Sequence, residues 1–128
     1  MSIPKNLKYT KEHEWALLSA DSVTIGITDH AQNSLGDLVF VELPTSGDSI
    51  TKGETFGVVE SIKAVSDLYA PVTGEVVEVN QEAIDNPSSL NENPYDSGWL
   101  LKVKITETDQ LNDLMSADDY EAFVSSLS

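Results

Sequence analysis

Two strand-like runs on either side of Lys63 constrain the fold of this chain more than any other feature of its sequence. The runs cover residues 55–60 and 64–69 and are rich in β-branched and aromatic residues, which favour strands. Pro71 and Gly74 follow the second run and are typical of a chain that leaves a strand. The pattern therefore predicts an antiparallel hairpin with Lys63 near its tip.

A lysine at a hairpin tip has a mobile four-carbon stem and a free ammonium group. It can act as a point charge, as an amine that forms a Schiff base, or as a target for acylation. For the tripeptide I-K-A alone, an ordinary solvated lysine at a turn is the favoured interpretation, so the surrounding sequence has to decide between these roles.

Four motifs of the chain, taken in order, resemble the glycine cleavage system H protein family. The hairpin contributes E-S-I-K-A-V-S-D-L-Y-A-P-V-T-G-E-V at residues 60–76. The other three are Y-T-K-E-H-E-W at 9–15, G-I-T-D-H-A-Q-N-S-L-G-D-L-V-F-V-E-L-P at 26–44 and N-P-Y-D-S-G-W at 93–99. Because the motifs follow one another with the right gaps, the resemblance extends over nearly the whole chain.

The resemblance implies a site centred on Lys63, which matches the lysine that carries lipoic acid in amide linkage. Glu60 and Gly74 match positions associated with recognition by lipoylating enzymes. Glu14 and Asp67 match carboxylates that the family places near the stored arm, and Asp67 lies only four residues after the lysine. Taken singly, each of these two acids also fits an ordinary surface side chain, since the chain has 22 acidic residues.

The function implied by the resemblance is that of a non-catalytic carrier. In this family the arm accepts an aminomethyl group at the pyridoxal-phosphate-dependent glycine decarboxylase (P protein) and passes it to the tetrahydrofolate-dependent aminomethyltransferase (T protein). Dihydrolipoyl dehydrogenase (L protein) then reoxidises the arm. These three proteins and the lipoylating enzymes are the expected partners, and the carrier itself is expected to be a monomer.

The sequence leaves alternatives to this function open. A biotin carrier shares the fold, but methionine is expected on both sides of its lysine, where this chain has Ile62 and Ala64. A lipoyl donor or relay protein and an unmodified acidic interaction domain are the two other candidates.

Charge and residue types exclude several classes of function. The formal net charge of −15 disfavours a nucleic-acid partner, because phosphate binding depends on clustered basic side chains. The chain has no cysteine, which excludes disulfides and thiol catalysis by its own residues. No metal site is predicted, because His13-Glu14 lacks the second histidine of an H-E-x-x-H motif. Neither His13 nor His30 is assigned a function.

The length of 128 residues predicts a single lipoyl-carrier domain over residues 1–128. Its core is expected at about residues 9–106, its helical tail at about 108–127 and a loosely held arm at 1–8. The sequence has no run of 18 apolar residues and no secretory leader, so no membrane partner is expected. The expected location is the cytoplasm for a bacterial protein, or the mitochondrial matrix for a processed mature chain.

The remaining pattern predicts a mostly β fold with short peripheral helices and a C-terminal helix, and the resemblance implies the barrel/sandwich hybrid of lipoyl domains. Besides the hairpin, predicted strands cover residues 15–18, 23–27, 37–43, 74–80 and 99–105. Predicted helical segments cover 28–35, 87–91 and 108–127, with caps expected at Thr28, Gly36, Asn86 and Ser116. A faint repeat between residues 36–42 and 74–80 suggests two similar halves.

Overall fold

The computed structural model of the chain describes residues 3–105 and 109–127, and strands form the larger part of its regular structure. The strands are Lys8–Tyr9 (β1), Glu14–Ser19 (β2), Ser22–Ile27 (β3), Leu38–Glu42 (β4), Ser49–Ile50 (β5), Thr55–Ser61 (β6), Val65–Tyr69 (β7), Gly74–Val79 (β8) and Leu101–Lys104 (β9). The helices are Asp29–Leu35 (α1), Gln81–Asp85 (α2), Ser88–Glu92 (α3) and Ala117–Ser126 (α4), with a 3-10 helix at Asp109–Asp113.

The strands form two antiparallel sheets. One has six strands in the order β1-β2-β3-β9-β8-β5, and the other has three in the order β4-β6-β7. The expectation of a mostly β fold with short helices and a C-terminal helix is confirmed. Within residues 3–105 and 109–127, the two sheets are not joined into one closed barrel. The repeated segments contribute β4 to the smaller sheet and β8 to the larger one.

The core lies between the two sheets and is filled by alternate apolar side chains. Val23 and Ile25 of β3 and Val59 of β6 are almost completely buried, because successive side chains of a strand point to opposite faces. Apolar side chains of this kind dominate the free energy of burial. The smaller sheet therefore buries one face in the core and leaves the other exposed, and the exposed face carries the candidate site.

The C-terminal helix α4 packs on the chain start through a second apolar cluster. Tyr120 stacks on Tyr9 with ring centroids 4.7 Å apart, as expected for a tail that packs on the sheets. Tyr9 also exchanges backbone hydrogen bonds with Met115. Leu7 is buried and Lys8 begins β1, so the prediction of a loosely held arm is wrong for these two residues.

Side-chain caps explain where two of the helices, α1 and α4, begin. The Thr28 side chain accepts a hydrogen bond from the N–H of Ala31 at the start of α1, and Gly36 ends that helix with φ of 82°. Ser116 caps α4 by accepting from the N–H of Asp119, so these predicted caps are confirmed. The predicted Asn86 cap is wrong, because Pro87 precedes α3 without a side-chain cap.

Two further elements differ from the sequence prediction. Helix α2 was not predicted; it begins where the Asn80 side chain accepts from the N–H of Glu82. The predicted tail segment 108–127 is divided into the 3-10 helix and α4, and residue 108 lies outside the described residues.

Candidate functional site: a hairpin-tip lysine and an adjacent cleft

The hairpin predicted around Lys63 is formed by β6 and β7, and Ser61 fixes its tip. The Ser61 N–H donates to the Ala64 carbonyl at 2.8 Å, which closes the turn. The Ser61 hydroxyl oxygen accepts from the N–H of Lys63 at 3.3 Å and from the N–H of Ala64 at 3.1 Å. A serine at the first position of a turn is suited to this bonding, which holds Ile62 and Lys63 at the outermost point of the hairpin.

Lys63 presents an accessible amine at this tip. Its side chain is exposed, and in the described part of the chain no carboxylate lies within 4.0 Å of its amine. The stem passes close to the end of α1, where Lys63 Cε lies 3.6 Å from the position that a Cβ on Gly36 would take. The amine is therefore open to a reagent that approaches from solvent.

Glu60 and Gly74 occupy different parts of the fold. Glu60 lies on the outward face of β6, between Phe40 of β4 and Val65 of β7, next to the lysine turn. Gly74 begins β8 in the six-stranded sheet, where a Cβ would lie 2.5 Å from the carbonyl oxygen of Lys104. The geometry places Glu60 beside the tip and gives Gly74 a packing reason for lacking a side chain.

Glu14 is a buried acid, which overturns the alternative that it is an ordinary surface side chain. It is only 1% exposed; its carboxylate accepts from the Thr10 hydroxyl at 2.7 Å and from the Tyr69 backbone N–H at 3.2 Å. Burial raises the pKa of Glu14 to about 8, although the hydrogen bonds from Thr10 and Tyr69 act in the opposite direction. The acid is thus poised between its neutral and charged forms near neutral pH.

A cleft of about 490 Å³ opens over Glu14. Its walls come from the chain start, the end of β7 and the segment before α4; among them are Thr10, Glu12, Glu14, Tyr69, Pro71, Leu114 and Met115. At the rim, the Lys52 amine pairs with the Asp113 carboxylate at 2.5 Å. The cleft combines apolar side chains, among them Pro71, Leu114 and Met115, with a buried carboxylate, and Lys11 also lines it. Apolar surface beside a carboxylate suits an apolar chain that ends in a cation.

Asp67 lies outside the residues that line the cleft but close to it along the same strand. It is exposed on the outward face of β7, opposite Val58 and two residues before Tyr69. At ~3.3 Å per strand residue, Asp67 lies about 7 Å from Tyr69 and about 13 Å from Lys63 along the chain. The edge of β7 therefore connects the lysine tip with the Glu14 cleft.

His13, the residue before Glu14, packs against His30 and contacts Tyr120. His13 has a left-handed backbone with φ of 70°, and its Nδ1 lies 2.8 Å from the Tyr120 hydroxyl. The same hydroxyl lies 2.7 Å from Thr28 Oγ1, and the His13 ring contacts that of His30. Burial, with a smaller contribution from His30, lowers the pKa of His13 to about 4, so His13 is neutral at neutral pH.

Sequence reasoning did not identify Thr10, Ser61 or Tyr69 as parts of the site. A serine two residues before the lysine was a usable signal, because serine favours the first position of a turn. The contact between Tyr69 and Glu14 spans 55 residues and leaves no local signal.

Among residues 3–105 and 109–127, no group of three or more His, Cys, Asp or Glu side chains is arranged to hold a metal ion. No helix in those ranges has the length and apolar character needed to cross a membrane.

Comparison with known proteins identifies relatives over nearly the full chain. Residues 7–127 match the family model described as glycine cleavage H-protein. The glycine cleavage system H protein of Staphylococcus carnosus is 55% identical over 124 residues, covering 97% of this chain and 98% of that protein. The corresponding protein of Carboxydothermus hydrogenoformans is 57% identical over 119 residues, covering 93% and 92%.

A solved structure supports the same relationship. The crystal structure of a glycine cleavage system H protein from Mycobacterium marinum superposes with a TM-score of 0.89 at 42% sequence identity. The match covers 96% of this chain and 99% of that chain.

Proposed function

The chain belongs to the glycine cleavage H-protein family, the lipoyl carriers of the glycine cleavage system, and we propose that lipoic acid is attached to it through Lys63. The observation that carries this proposal is the exposed Lys63 amine on a turn fixed by Ser61. In the described residues, the positive charge of the Lys63 amine forms no ion pair with a carboxylate. Converting this amine to an amide therefore breaks none of those ion pairs.

The known role of this family is to shuttle the aminomethyl group of glycine between the P, T and L proteins. When attached, the lipoyl group supplies a dithiolane that is reduced and loaded, and is later reoxidised. We propose glycine decarboxylase, the aminomethyltransferase, dihydrolipoyl dehydrogenase and lipoylating enzymes as the partners of this chain. We propose that the chain is a non-catalytic carrier, which holds the arm and presents it to these enzymes.

The residues around the cleft fit an arm that reaches back from Lys63. A lipoyl-lysine arm spans on the order of a dozen Å, which matches the separation of about 13 Å between Lys63 and Asp67 along the chain. Tyr69, in the wall of the cleft, lies about 7 Å beyond Asp67. The apolar walls of the cleft would exclude water from the end of the arm. Glu14 is the residue that would hold a terminal cationic amine, with Thr10 and Tyr69 positioning its carboxylate.

The protonation of Glu14 would respond to a cation in the cleft. Its raised pKa means that the empty cleft carries a largely neutral carboxyl group at neutral pH. A cation placed beside it favours the ionised form, so the proton would leave as the cation arrives. Asp67, exposed on the path from Lys63, is the second carboxylate that we assign to the loaded arm.

The remaining site assignments concern attachment. Glu60 lies beside the lysine turn and is proposed as a contact for lipoylating enzymes. Gly74 is proposed to act through the strand packing that presents the hairpin, since it lies against the Lys104 carbonyl. We further propose one carrier domain over residues 1–128, supported by the family match at 7–127, and a cytoplasmic location, supported by the bacterial relatives.

A reconstituted glycine cleavage assay tests the proposal. Lys63→Arg keeps the positive charge but removes the amine that forms the amide, so glycine cleavage should fall to background. Lys104→Arg is the matched control, because Lys104 is exposed on the six-stranded sheet. Glycine cleavage by Lys63→Arg at the parent rate would contradict the assignment of Lys63.

A further inference from the structure

We propose that the exposed face of the three-stranded sheet next to Lys63 is the docking surface for the enzyme that acylates this lysine. The surface consists of a tip patch, Val39, Phe40, Ile62 and Val65, together with the nearby acids Glu42 and Asp67. We infer that the partner presents an apolar depression edged by Lys or Arg side chains. The inference rests on the proposed attachment of lipoic acid to Lys63.

In the described part of the chain, exposed apolar surface concentrates in the tip patch. Of seven exposed large apolar side chains in the described residues, four belong to the patch, and the other three, Leu18, Val77 and Leu127, lie on other elements. Ile62 and Val65, on either side of Lys63, are 80% and 67% exposed. Scattered exposed residues need no explanation, but a group around one accessible lysine indicates a contact surface.

Strand pairing brings the members of the patch together. Phe40 of β4 lies opposite Glu60 of β6, and Glu60 lies opposite Val65 of β7, so the three form one row across the sheet. A register shift between Leu38 and Phe40 sets two residues of β4 against one of β6. This bulge leaves both Val39 and Phe40 exposed, at 56% and 46%.

Acidic residues border the patch and define the charge of the partner. The next row across the sheet is Glu42, Val58 and Asp67, and both of its acids are exposed. The chain as a whole has a net charge of −15, and the described residues show no ion pair for either acid. An apolar centre with an acidic border is complementary to a partner with a basic rim.

The short length of the unmodified lysine side chain favours the acylating enzyme as the partner that binds this surface. Before modification, the amine extends only about 6 Å from the backbone, whereas the lipoylated arm extends on the order of a dozen Å. An enzyme that forms the amide must therefore bring its catalytic centre down to the tip and contact the side chains beside Lys63. Enzymes that act on the dithiolane can work farther from the hairpin.

The test measures the steady-state kinetics of lipoyl attachment, with the intact mass of the chain as the readout. A purified enzyme that uses ATP activates the lipoate carboxyl group as an adenylate and releases pyrophosphate; the uncharged Lys63 amine then displaces AMP, and a proton is lost as the amide forms. The Phe40→Ser, Val65→Thr double variant should raise the KM for the carrier about tenfold or more, with kcat little changed. Glu42→Gln should flatten the dependence of KM on salt.

The matched control is Leu18→Ser with Val77→Thr, which removes two exposed apolar side chains from the six-stranded sheet. Its KM should stay within about twofold of the parent value. Once fully lipoylated, the patch variant should be reduced and reoxidised by dihydrolipoyl dehydrogenase at the parent rate.

The outcomes separate this inference from the proposed function. A parent KM in the patch variant, or an equal rise in the control variant, would overturn the docking surface while leaving Lys63 as the attachment site. An equally large loss of the dehydrogenase rate in the lipoylated patch variant would overturn the choice of the acylating enzyme as the partner. A parent chain that accepts no lipoyl group would overturn both proposals.

Discussion

The backbone N–H of Tyr69 donates a hydrogen bond to the Glu14 carboxylate, with nitrogen and oxygen 3.2 Å apart. This contact joins β2 of the larger sheet to the outer edge of β7, the strand that leads to Lys63. It places a nearly inaccessible acid on the same strand edge as the lysine tip. The contact fixes the position of Glu14, while burial raises the pKa of its carboxyl group against the effect of this hydrogen bond.

Glu14→Gln should change how stability depends on pH. In the folded chain the pKa of Glu14 is raised from 4.5 to about 8, so between these values the folded state binds more protons than the unfolded state. The contribution of Glu14 to the free energy of unfolding should therefore be highest below about pH 4.5 and fall as pH rises towards 8, by at most about 1.4 kcal/mol per pH unit. The glutamine variant has no such titration.

Urea unfolding at pH 5, 7 and 9 measures this effect as the difference in unfolding free energy between parent and variant. The parent should lose stability relative to Glu14→Gln as pH rises, whereas Glu75→Gln, at an exposed acid on β8, should follow the parent. Parallel curves for parent and Glu14→Gln would show that burial does not raise the pKa of Glu14.

Ser61→Ala should loosen the hairpin tip. The substitution removes the oxygen that accepts from the N–H groups of Lys63 and Ala64, at a cost of about 1 kcal/mol. Amide hydrogen exchange at these two residues should become faster, and lipoyl attachment should become slower. Ser66→Ala on β7 is the matched control, and exchange rates equal to those of the parent in Ser61→Ala would contradict the role of Ser61.

Gly74→Ala should destabilise the fold as well as slow lipoyl attachment. The new Cβ would lie 2.5 Å from the Lys104 carbonyl oxygen, and relief requires β8 and β9 to separate, at a cost of about 2 kcal/mol. Gly53→Ala offers a comparison, because nothing lies within 4 Å of its Cβ and only its φ of 85° is unfavourable. Chemical unfolding should show a larger loss for Gly74→Ala, and an equal loss would argue against packing as its role.

Glu14→Gln combined with Asp67→Asn should shorten the lifetime of the loaded state. If these carboxylates hold the cationic amine, the variant should lose the aminomethyl group about tenfold faster and with less dependence on salt. Mass spectrometry measures this loss. Reduction of the unloaded, oxidised arm should hardly change, because that arm has no cation. The charge-matched control is Glu75→Gln with Asp85→Asn, two exposed acids outside the site.

If the Glu14→Gln, Asp67→Asn variant loses the aminomethyl group at the parent rate, burial of the arm in the cleft, and not these carboxylates, protects the group from hydrolysis. A faster loss in the control variant as well would assign it to the overall negative charge.

The features that sequence predicted well are those that local chemistry determines. The Thr28 and Ser116 caps and the glycine after α1 depend on side chains within a few residues, and all are present. The hairpin follows from two adjacent β-branched runs. By contrast, the two-residue strand β1 exists because Tyr9 pairs with Trp15 and with Met115, which lies far along the chain.

The candidate site divides in the same way. The position of Lys63 at a tip follows from the local pattern, while the burial of Glu14 depends on a contact 55 residues away. The tip patch depends on the bulge in β4 and on cross-strand register, which alternation alone does not specify. These features required the structure because they arise from long-range pairing.

The central claim, that Lys63 carries the lipoyl group, is tested most directly by intact mass and peptide mapping of the chain from cells supplied with lipoate. The parent should gain the mass of one lipoyl group, located on the peptide that contains Lys63, and Lys63→Arg should gain none. A modified peptide elsewhere among the seven lysines, or an unmodified parent under these conditions, would contradict the account.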